Sequence, residues 1–385
     1  MTIEISFKEL NEAFGYLNTV FNDKKIKDTA KDVYFIPTED GVKLGVVTPE
    51  IITRVPLADA EVTKEFDTFA INAPALWGIL NTYKGLSKTE ATSVILDMRG
   101  NRVAIDVLEE PIDPEDVHLQ QVGHFFLNKT PERSKTLEQV LKEAEDVELS
   151  LVDTDSLSLT TDTMMGQMAD SSVGGLMGVM QCFEEHIAVQ PPNSVTLMKN
   201  TLGEVFTDIS LDITSVRYLK YLSSIEGDLQ AAKAVEGSLY CTQGGVEAFI
   251  RTKSVRMDYQ KLINHSKDNG FVVNRGYFMD VIRRASSIQE TFDLTIRDGV
   301  LEIRAGEFNQ GVYLENTKGD LLNVCLKLPA NVLMGVILPF DDTLFVYAEK
   351  VGRSYSLFFQ DSTGAWFSNI KARGEVVAER GEEDV

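Results

Sequence analysis

Two adjacent arginines, Arg283 and Arg284, stand in the stretch 275–288 (RGYFMDVIRRASSI) of a 385-residue chain whose formal net charge is −22. Apolar residues in this stretch recur at spacings of three and four, which predicts a helix with one apolar face. At about 100° per residue, both arginines lie on the opposite face. Guanidinium groups bind phosphate oxygens, so this face could contact a nucleic-acid backbone, although a solvated surface helix fits the same spacing.

Basic residues recur on or just after predicted helices in three parts of the chain. The first part has Lys8, Lys24, Lys25, Lys27 and Lys84, the second has Lys135, Lys142, Arg217 and Lys220, and the third has Arg275, Arg283 and Arg284. Glutamates stand among them on the first helices of the first two parts, so any single basic residue also fits an ordinary solvated helix. The recurrence as a whole favours one surface of modest positive charge.

The acidic composition argues against a protein that coats nucleic acid, because affinity for phosphate depends on Lys and Arg. That inference concerns the mean charge alone. A ring or cleft with a basic inner wall and an acidic exterior would carry the same total.

Other residue types that do chemistry form no recognisable site. The three cysteines and four histidines are scattered, so neither a disulfide framework nor a metal site is predicted. The sequence contains no GxSxG, P-loop or GxGxxG motif. We therefore predict that the protein is not an enzyme and uses no cofactor or metal.

The chain has the composition of a soluble protein, with 43% hydrophobic and 25% charged residues. It contains no run of 18 apolar residues, and its first residues, MTIEISFKEL, lack the basic and apolar regions of a signal peptide. These features predict a cytoplasmic protein that does not bind membranes.

Two classes of predicted helix alternate along the chain. The first class comprises 6–21, 134–146 and 275–288, and the second class, each preceded by a short strand, comprises 69–83, 211–225 and 326–340. Asn72 and Thr214 are predicted to cap their helices with a side chain, and Pro329 to start its helix with a preset φ.

Alternating apolar and polar runs between these helices predict antiparallel strands joined by tight turns. The runs include 32–48, 93–108, 147–162, 292–306 and 343–361. Strands and helices follow in the same order three times, which predicts an α+β protein of three similar domains, 1–122, 123–268 and 269–373. The second domain would hold an inserted helix and loop near 169–194, and residues 374–385 (GEVVAERGEEDV) would form a disordered acidic tail.

The third repeat, with FVVNRGYFMDVIRRASSI, DLTIRDGVLEIRAG, LLNVCLKLPANVLMGVI and GAWFSNIKAR, resembles the last domain of the bacterial β-type DNA sliding clamp. The first repeat is similar to that family as well, and the order of elements agrees over nearly the whole chain. In the second repeat, LSLTTDTMMG (157–166) stands where the family has a strand ending in Thr-Asp-Gly-His-Arg. Thr161 and Asp162 match that motif, whereas Thr163, Met164 and Met165 depart from it. The resemblance is to a divergent member of that family, encoded by a bacterium or by a phage.

The resemblance implies two chains of three domains that close a six-domain ring around duplex DNA, with helices inside and sheets outside. Such a homodimer would be a processivity factor in DNA replication, binding DNA without sequence specificity and tethering DNA polymerase and clamp-loader peptides. We expect the DNA-binding residues to be Lys24, Lys25, Lys84, Arg217, Lys220, Arg283 and Arg284.

The same resemblance implies a groove between the second and third domains that receives a short apolar peptide of a partner. Its expected residues are Thr161, Met164, Met165, Met257, Lys261, Leu262, Asn331, Trp366, Phe367, Ser368 and Ile370. Methionines suit a groove that adapts to several ligands.

Two other interpretations fit the repeats. One is a clamp relative that serves as an interaction scaffold, for instance in phage transcription. The other is a viral structural protein of repeated α+β modules that does not thread DNA. Basic residues repeated on the helices favour the clamp over a structural protein, because a shell protein has no need to align them.

Overall fold

The computed structural model describes residues 1–21, 31–84, 91–109, 119–130, 147–168, 178–191, 194–234, 238–254, 270–318, 323–362 and 366–377. Within these ranges no helix is long and apolar enough to cross a membrane.

Six α-helices lie in the described ranges. They are α1 (Phe7–Phe21), α2 (Ala73–Tyr83), α3 (Thr154–Met165), α4 (Ile213–Leu222), α5 (Arg275–Ser286) and α6 (Ala330–Ile337). Each buries an apolar stripe; α1, for example, buries Leu10, Phe14, Leu17 and Phe21 at spacings of three and four.

The starts of the second-class helices agree with two of the three predicted caps. The Asn72 side chain accepts a hydrogen bond from the Ala75 backbone N–H, which satisfies one of the free donors of α2. Pro329 precedes α6 with φ −75°. Thr214 is instead the second residue of α4, which begins at Ile213, so the expected cap at Thr214 is wrong.

The strands number 26 in the described ranges. They are β1 (Thr2–Ser6), β2 (Asp32–Thr38), β3 (Gly41–Val47), β4 (Ile51–Leu57), β5 (Glu61–Val62), β6 (Phe69–Asn72), β7 (Ala91–Arg99), β8 (Arg102–Glu109), β9 (Gln120–Thr130), β10 (Ser150–Leu151), β11 (Val179–Cys182), β12 (His186–Val189), β13 (Ser194–Lys199), β14 (Ile209–Asp212), β15 (Gln230–Lys233), β16 (Leu239–Gln243), β17 (Val246–Ile250), β18 (Gly270–Asn274), β19 (Thr291–Arg297), β20 (Val300–Ala305), β21 (Phe308–Val312), β22 (Glu315–Lys318), β23 (Val324–Pro329), β24 (Thr343–Val351), β25 (Ser354–Asp361) and β26 (Trp366–Val376).

The chain forms two compact units, each built on one 13-stranded sheet. Unit 1 comprises Met1–Ser158 and Thr214–Thr252, and its strands follow the order β10-β15-β16-β17-β4-β3-β2-β6-β9-β8-β7-β1-β5. Unit 2 comprises Leu159–Ile213 and Lys253–Val385, and its main path is β14-β11-β12-β13-β26-β23-β19-β20-β21. In unit 2, β18, β22, β24 and β25 branch from this path at β26.

The strand pairing repeats within the chain. In the first repeat β1 pairs with β5 and β7, β7 with β8, β8 with β9, β2 with β3 and β6, β3 with β4, and β6 with β9. The same pairs recur in the third repeat, where each equivalent strand has a number 17 higher. For example, β1–β5 corresponds to β18–β22, and β6–β9 corresponds to β23–β26. The first and third repeats therefore have one topology, with α1 equivalent to α5 and α2 to α6.

The middle repeat has the same strand pairing, but its first helix lies at other residues than those predicted from the sequence. β10 pairs with β15 as β1 pairs with β7, and β11 pairs with β12 and β14 as β2 pairs with β3 and β6. The helix equivalent to α1 is therefore α3, and the helix equivalent to α2 is α4. The expected first-class helix at 134–146 lies outside the described residues.

The predicted strand at 147–162 is wrong, because only Ser150–Leu151 are extended and α3 follows. The Asp153 carboxylate accepts hydrogen bonds from the backbone N–H of Asp155 (3.1 Å) and from the Ser156 hydroxyl (2.7 Å), which starts the helix. Leu157, Thr161 and Met164 then fall on one buried face at helical spacing. Apolar and polar residues also alternate over 147–162, as they do in a strand, so the helical spacing was not recognised from the sequence.

Two further expectations need correction. Residues 169–194 do not form an inserted helix and loop throughout, because β11 and β12 lie there as regular sheet strands. The tail does not begin at residue 374, because Gly374, Glu375 and Val376 pair with β23 as part of β26. Residues 169–177 and 378–385 lie outside the described ranges.

The domain boundary expected at residue 122 falls inside β9, which pairs with β8 over nearly its whole length. We place the end of the first repeat after Thr130 for this reason. The boundary expected at 268 lies outside the described residues and stays a prediction.

Successive repeats are joined by main-chain pairing. In unit 1, β17 of the middle repeat pairs with β4 of the first, and in unit 2, β13 of the middle repeat pairs with β26 of the third. We call these two places the first and the second junction. Three consecutive strands form an antiparallel meander in each repeat, β2–β4 in the first and β11–β13 in the middle one. At each junction, the last strand of one repeat pairs with the third meander strand of the preceding repeat.

A carboxylate strengthens the first junction. Glu247 on β17 stands opposite Arg54 on β4 and accepts hydrogen bonds from Arg54 Nη2 (2.6 Å), Arg54 Nε and Lys43 Nζ (2.8 Å). Burial acts to raise the pKa of Glu247, but the hydrogen bonds from Arg54 and Lys43 outweigh it and lower that pKa below its ordinary value. The ionised form therefore stabilises the junction.

Replacing Glu247 by Gln removes this charge, and we expect the free energy of unfolding at pH 7 to fall by about 1–3 kcal/mol. Because the folded-state pKa is lowered, the stabilisation is present above the unfolded-state pKa of about 4.3 and is lost as the pH falls through the folded value. Urea unfolding at pH 7 and in acid measures both effects. The matched control is Glu61→Gln on the exposed strand β5, and an equal loss in the two variants would contradict the assignment.

Candidate functional site

The basic charge of the described helices is concentrated on α4 and α5. Helix α4 carries Arg217 and Lys220 and no acidic residue, and α5 carries three arginines and one aspartate, so each has a net charge of +2. Arg283 Nη1 lies 3.1 Å from the Asp280 carboxylate. Within the described part of the chain, Arg217 and Arg284 are exposed and form no ion pair.

Tyrosine contacts fix which face of α4 is exposed. The Tyr218 side chain is fully buried and its hydroxyl lies 2.6 Å from Thr53 Oγ1 on β4. Burial raises the pKa of Tyr218 above its ordinary value, so this hydroxyl stays protonated and available for hydrogen bonding. Tyr221 packs edge-on against Tyr16 of α1, with 5.5 Å between ring centroids. These anchors leave Arg217, and Lys220 one turn later, on the outward face.

The other helices do not continue this positive charge. Helix α3 carries Asp155 and Asp162 and no basic residue, so the basic residues that recur on or just after the predicted helices do not extend to α3. Helix α1 mixes Lys8 with two glutamates, and α6 has no charged residue. Lys84, exposed just after α2, lies 6.0 Å from the centre of the Trp77 ring. Lys24 and Lys25 lie outside the described residues.

Five of the eleven residues expected to form the peptide groove are buried. Thr161 and Met164 of α3 and Ser368 and Ile370 of β26 are at most 1% exposed, and Phe367 packs in an apolar cluster with Tyr347 and Phe358. Met165 is half-buried. Met257, Lys261 and Leu262 lie outside the described residues, and Trp366 pairs with Met198 through the main chain. The remaining expected residue, Asn331, is exposed.

Asn331 lines a cleft in unit 2 of about 110 Å³, which we call the junction cleft. It lies between the end of α3, the connection from β12 to β13, and α6, and its lining comprises Gly166, Gln167, Pro191, Ser194, Asn331, Val332, Gly335 and Val336. Seven of these eight were missed by sequence reasoning, because the expected match placed the relevant strand at 157–166, where the chain is helical. The glycine in the middle of α6 was the available signal.

The floor of the junction cleft is polar. Thr196 donates a hydrogen bond to Gln167 Oε1 and lies 3.1 Å from Ser368 Oγ across the second junction. Among the described residues, Gln167 Nε2 and Ser194 Oγ are buried and have no hydrogen-bond partner. Unpaired buried polar groups cost free energy, so a ligand that supplied partners would be stabilised here. The described part of the lining contains no titratable group.

The same place is filled at the first junction. Tyr218 is the sixth residue of α4, and Gly335 is the sixth residue of α6. Tyr218 inserts against β4 of the preceding repeat, whereas a Cβ built on Gly335 meets no atom within 4 Å. One tyrosine therefore closes the first junction, and one glycine leaves the second open.

Several solved structures share this fold over the whole chain. A DNA polymerase sliding clamp from Caulobacter crescentus superimposes with a TM-score of 0.74 at 13% identity, covering 97% of this chain and 99% of that one. The Helicobacter pylori beta clamp bound to a DNA ligase peptide gives 0.70 at 15% identity, with the same coverage. The Pseudomonas aeruginosa DNA polymerase III subunit beta gives 0.70 at 12%, covering 98% and 100%.

No protein-family model matches the sequence, and no curated protein matches it. The three-dimensional likeness nevertheless extends from one end of the chain to the other. The chain thus has the α+β fold of bacterial DNA sliding clamps, at a sequence identity that establishes the fold alone.

Proposed function

We propose that this protein is a DNA sliding clamp, a non-enzymatic processivity factor of DNA replication. Two copies would close a ring around duplex DNA and tether DNA polymerase and other partners. All the solved structures described above are sliding clamps, and each matches nearly the whole chain. This match is the observation that carries the proposal. The clamp interpretation thereby gains over an interaction scaffold or a viral structural protein.

The charge distribution supports this role. Arg217, Lys220, Arg283 and Arg284 supply basic faces on α4 and α5 in a chain of net charge −22. Contacts of such residues to phosphate position a protein on DNA without reading sequence. A small number of them gives weak, salt-screened attraction, which permits sliding, while the acidic remainder repels DNA.

The junctions indicate how a second copy would close the ring. The third meander strand of the first repeat, β4, pairs with β17, and that of the middle repeat, β13, pairs with β26. Within the described residues, the equivalent strand of the third repeat, β21, pairs on one side only, with β20. The strand equivalent to β17 and β26 in the first repeat is β9, and in the same described ranges its residues 120–128 pair only with β8.

We therefore propose that β21 of each copy pairs with β9 of the other. Exposed apolar side chains lie on β9, where Val122 is 39% and Phe126 49% exposed. Burying them, and pairing two open sheet edges, would favour association. When β21 of each copy pairs with β9 of the other, the two head-to-tail contacts close a ring of two chains.

The junction cleft is the proposed docking site for partner peptides. The Helicobacter pylori clamp of the same fold was solved with a DNA ligase peptide bound. In this chain the cleft offers an apolar wall, Val332 and Val336, above the unpaired groups of Gln167 and Ser194. Asn331 stays a predicted contact, whereas Thr161, Met164, Ser368 and Ile370 are buried.

Topological binding makes the first prediction. The protein, loaded onto a nicked circular DNA, should remain with it through gel filtration, because a closed ring cannot leave without opening. Linearising the DNA should release the protein, since a ring slides off an end. Equal retention on the circular and linear forms would contradict encirclement.

The second prediction concerns ring closure. The β20–β21 hairpin closes at the pair Ala305–Phe308 around two residues, so Asn309 points its N–H away from β20, toward the open edge. Asn309→Pro removes this donor and should convert a dimer to a 42.8 kDa monomer in light scattering. Asn309→Ala loses the same side chain but keeps the N–H, and should stay dimeric. A dimeric proline variant would place the interface elsewhere, and a monomeric natural protein would contradict the ring of two chains.

The third prediction concerns the junction cleft. Gly335→Leu should fill it and weaken binding of a labelled polymerase peptide at least about tenfold in fluorescence anisotropy, as a blocked apolar pocket would. Gly335→Ala removes the same glycine but leaves most of the space, so it should retain binding. Neither change should lower the melting temperature, because replacing a helical glycine tends to stabilise by about 0.5–1 kcal/mol. Undiminished affinity in the leucine variant would rule this cleft out.

A further inference from the structure

A second cleft, of about 300 Å³, opens in unit 1 between the end of α1 and the start of α2. Its lining comprises Phe14, Asn18, Phe21, Lys31, Ala73, Pro74 and Trp77. We call it the aromatic cleft. None of the described residues in its lining is acidic. Its volume falls at the lower end of the range of small-molecule sites.

The aromatic cleft combines a stacking surface with cations. The rings of Trp77 and Phe14 lie nearly parallel, 18° apart, with centroids 5.7 Å apart. Phe14 is buried, whereas Trp77 is half-buried and so keeps part of its ring accessible. Lys31 lies in the lining, and Lys84 Nζ is 6.0 Å from the Trp77 ring centre. Aromatic rings beside lysines are the groups that proteins use to hold unpaired bases of single strands.

Asn18 adds a polar group that could recognise a base edge. Its side-chain amide has both donors and an acceptor, as the edges of unpaired bases do. An apolar peptide side chain would fill the same space but would form no hydrogen bond with this amide. The lining therefore favours a nucleotide over an apolar peptide.

Trp77 occupies the position of α2 that would face DNA in the proposed clamp. Trp77 is the fifth residue of α2, and the fifth residue of the equivalent helix α4 is the exposed Arg217. If the proposed function holds, Arg217 faces the DNA passage, and the repeat places Trp77 on the same face of its own repeat. This step rests on the proposed function, whereas the chemistry of the cleft does not.

We propose that the aromatic cleft binds one unpaired nucleotide of single-stranded DNA. The base stacks on the accessible part of Trp77, the Asn18 amide hydrogen-bonds to its edge, and Lys31 and Lys84 contact the flanking phosphates. A base inside a duplex has its faces covered by its neighbours, so the cleft selects single strands, frayed ends and gaps.

Tryptophan emission tests this directly, because the chain has two tryptophans, Trp77 and Trp366. A Trp366→Phe variant leaves Trp77 as the single reporter. Titration with oligo(dT) of about a dozen nucleotides should quench this emission, whereas a blunt duplex of equal length should leave it nearly unchanged. In the same background, an unlabelled apolar peptide should have no effect.

Substitutions then separate stacking from charge. Trp77→Leu should lower affinity for oligo(dT) by roughly 5- to 100-fold, the effect expected for losing one base–aromatic stack, and leave duplex affinity within about twofold. Trp77→Phe keeps an aromatic face and should retain most of the binding. Arg284→Ala, outside the cleft, should weaken single- and double-stranded binding alike.

Several outcomes would overturn the proposal. They are equal quenching by duplex and single strand, quenching by the peptide alone, and unchanged oligo(dT) affinity in a folded Trp77→Leu variant. If that variant fails to fold, the emission titration of the natural Trp77 still decides. Retention on nicked circular DNA is a separate measurement: if it persists while the single-strand preference is absent, the cleft assignment fails and the clamp function stands.

Discussion

Main-chain pairing across repeat boundaries is the constraint on which the rest of this structure depends. A sheet cannot end inside a protein without leaving N–H and C=O groups unpaired, and the middle and third repeats solve this by pairing their last strand with the preceding repeat. At the first junction, Glu247 with Arg54 and Lys43 secures that pairing; at the second, Thr196 and Ser368 face each other across it. The three repeats are consequently not independent domains, because the contacts divide the chain into two units and split the middle repeat between them.

The functional surfaces follow from the same arrangement. The paired strands form the hydrogen-bonded frame, and the helices packed on it differ between the repeats. Tyr218, Gly335 and Gly78 occupy the same helical position, as do Arg217, Met334 and Trp77. Changes at these positions alter charge, cavity and stacking surface without disturbing the hydrogen-bonded frame, so one topology supports a basic face in one repeat and a cleft in another.

The repeated order of elements could be read from the sequence because hairpins such as 93–108 and helices such as 6–21 have clean periods and clear turns. The register of the middle repeat could not. The stretch 147–162 alternates like a strand, but the Asp153 cap and the buried stripe of Leu157, Thr161 and Met164 make it a helix. The expected groove residues at 161–165 were taken from a strand that is not there. The junction cleft is lined by residues that are distant in sequence, among them Gln167, Pro191 and Gly335, and these meet only in the folded chain.

The contrast between Tyr218 and Gly335 has a consequence for stoichiometry. A ring of two such chains would have an open cleft at one junction in each chain and a plugged one at another, so it would offer two peptide sites at these four junctions. Polymerase, loader and repair proteins would then have to take turns or share. A single side chain at the sixth position of a helix, the hydroxyphenyl group of Tyr218 or the hydrogen atom of Gly335, would therefore limit how many proteins can occupy the clamp at once.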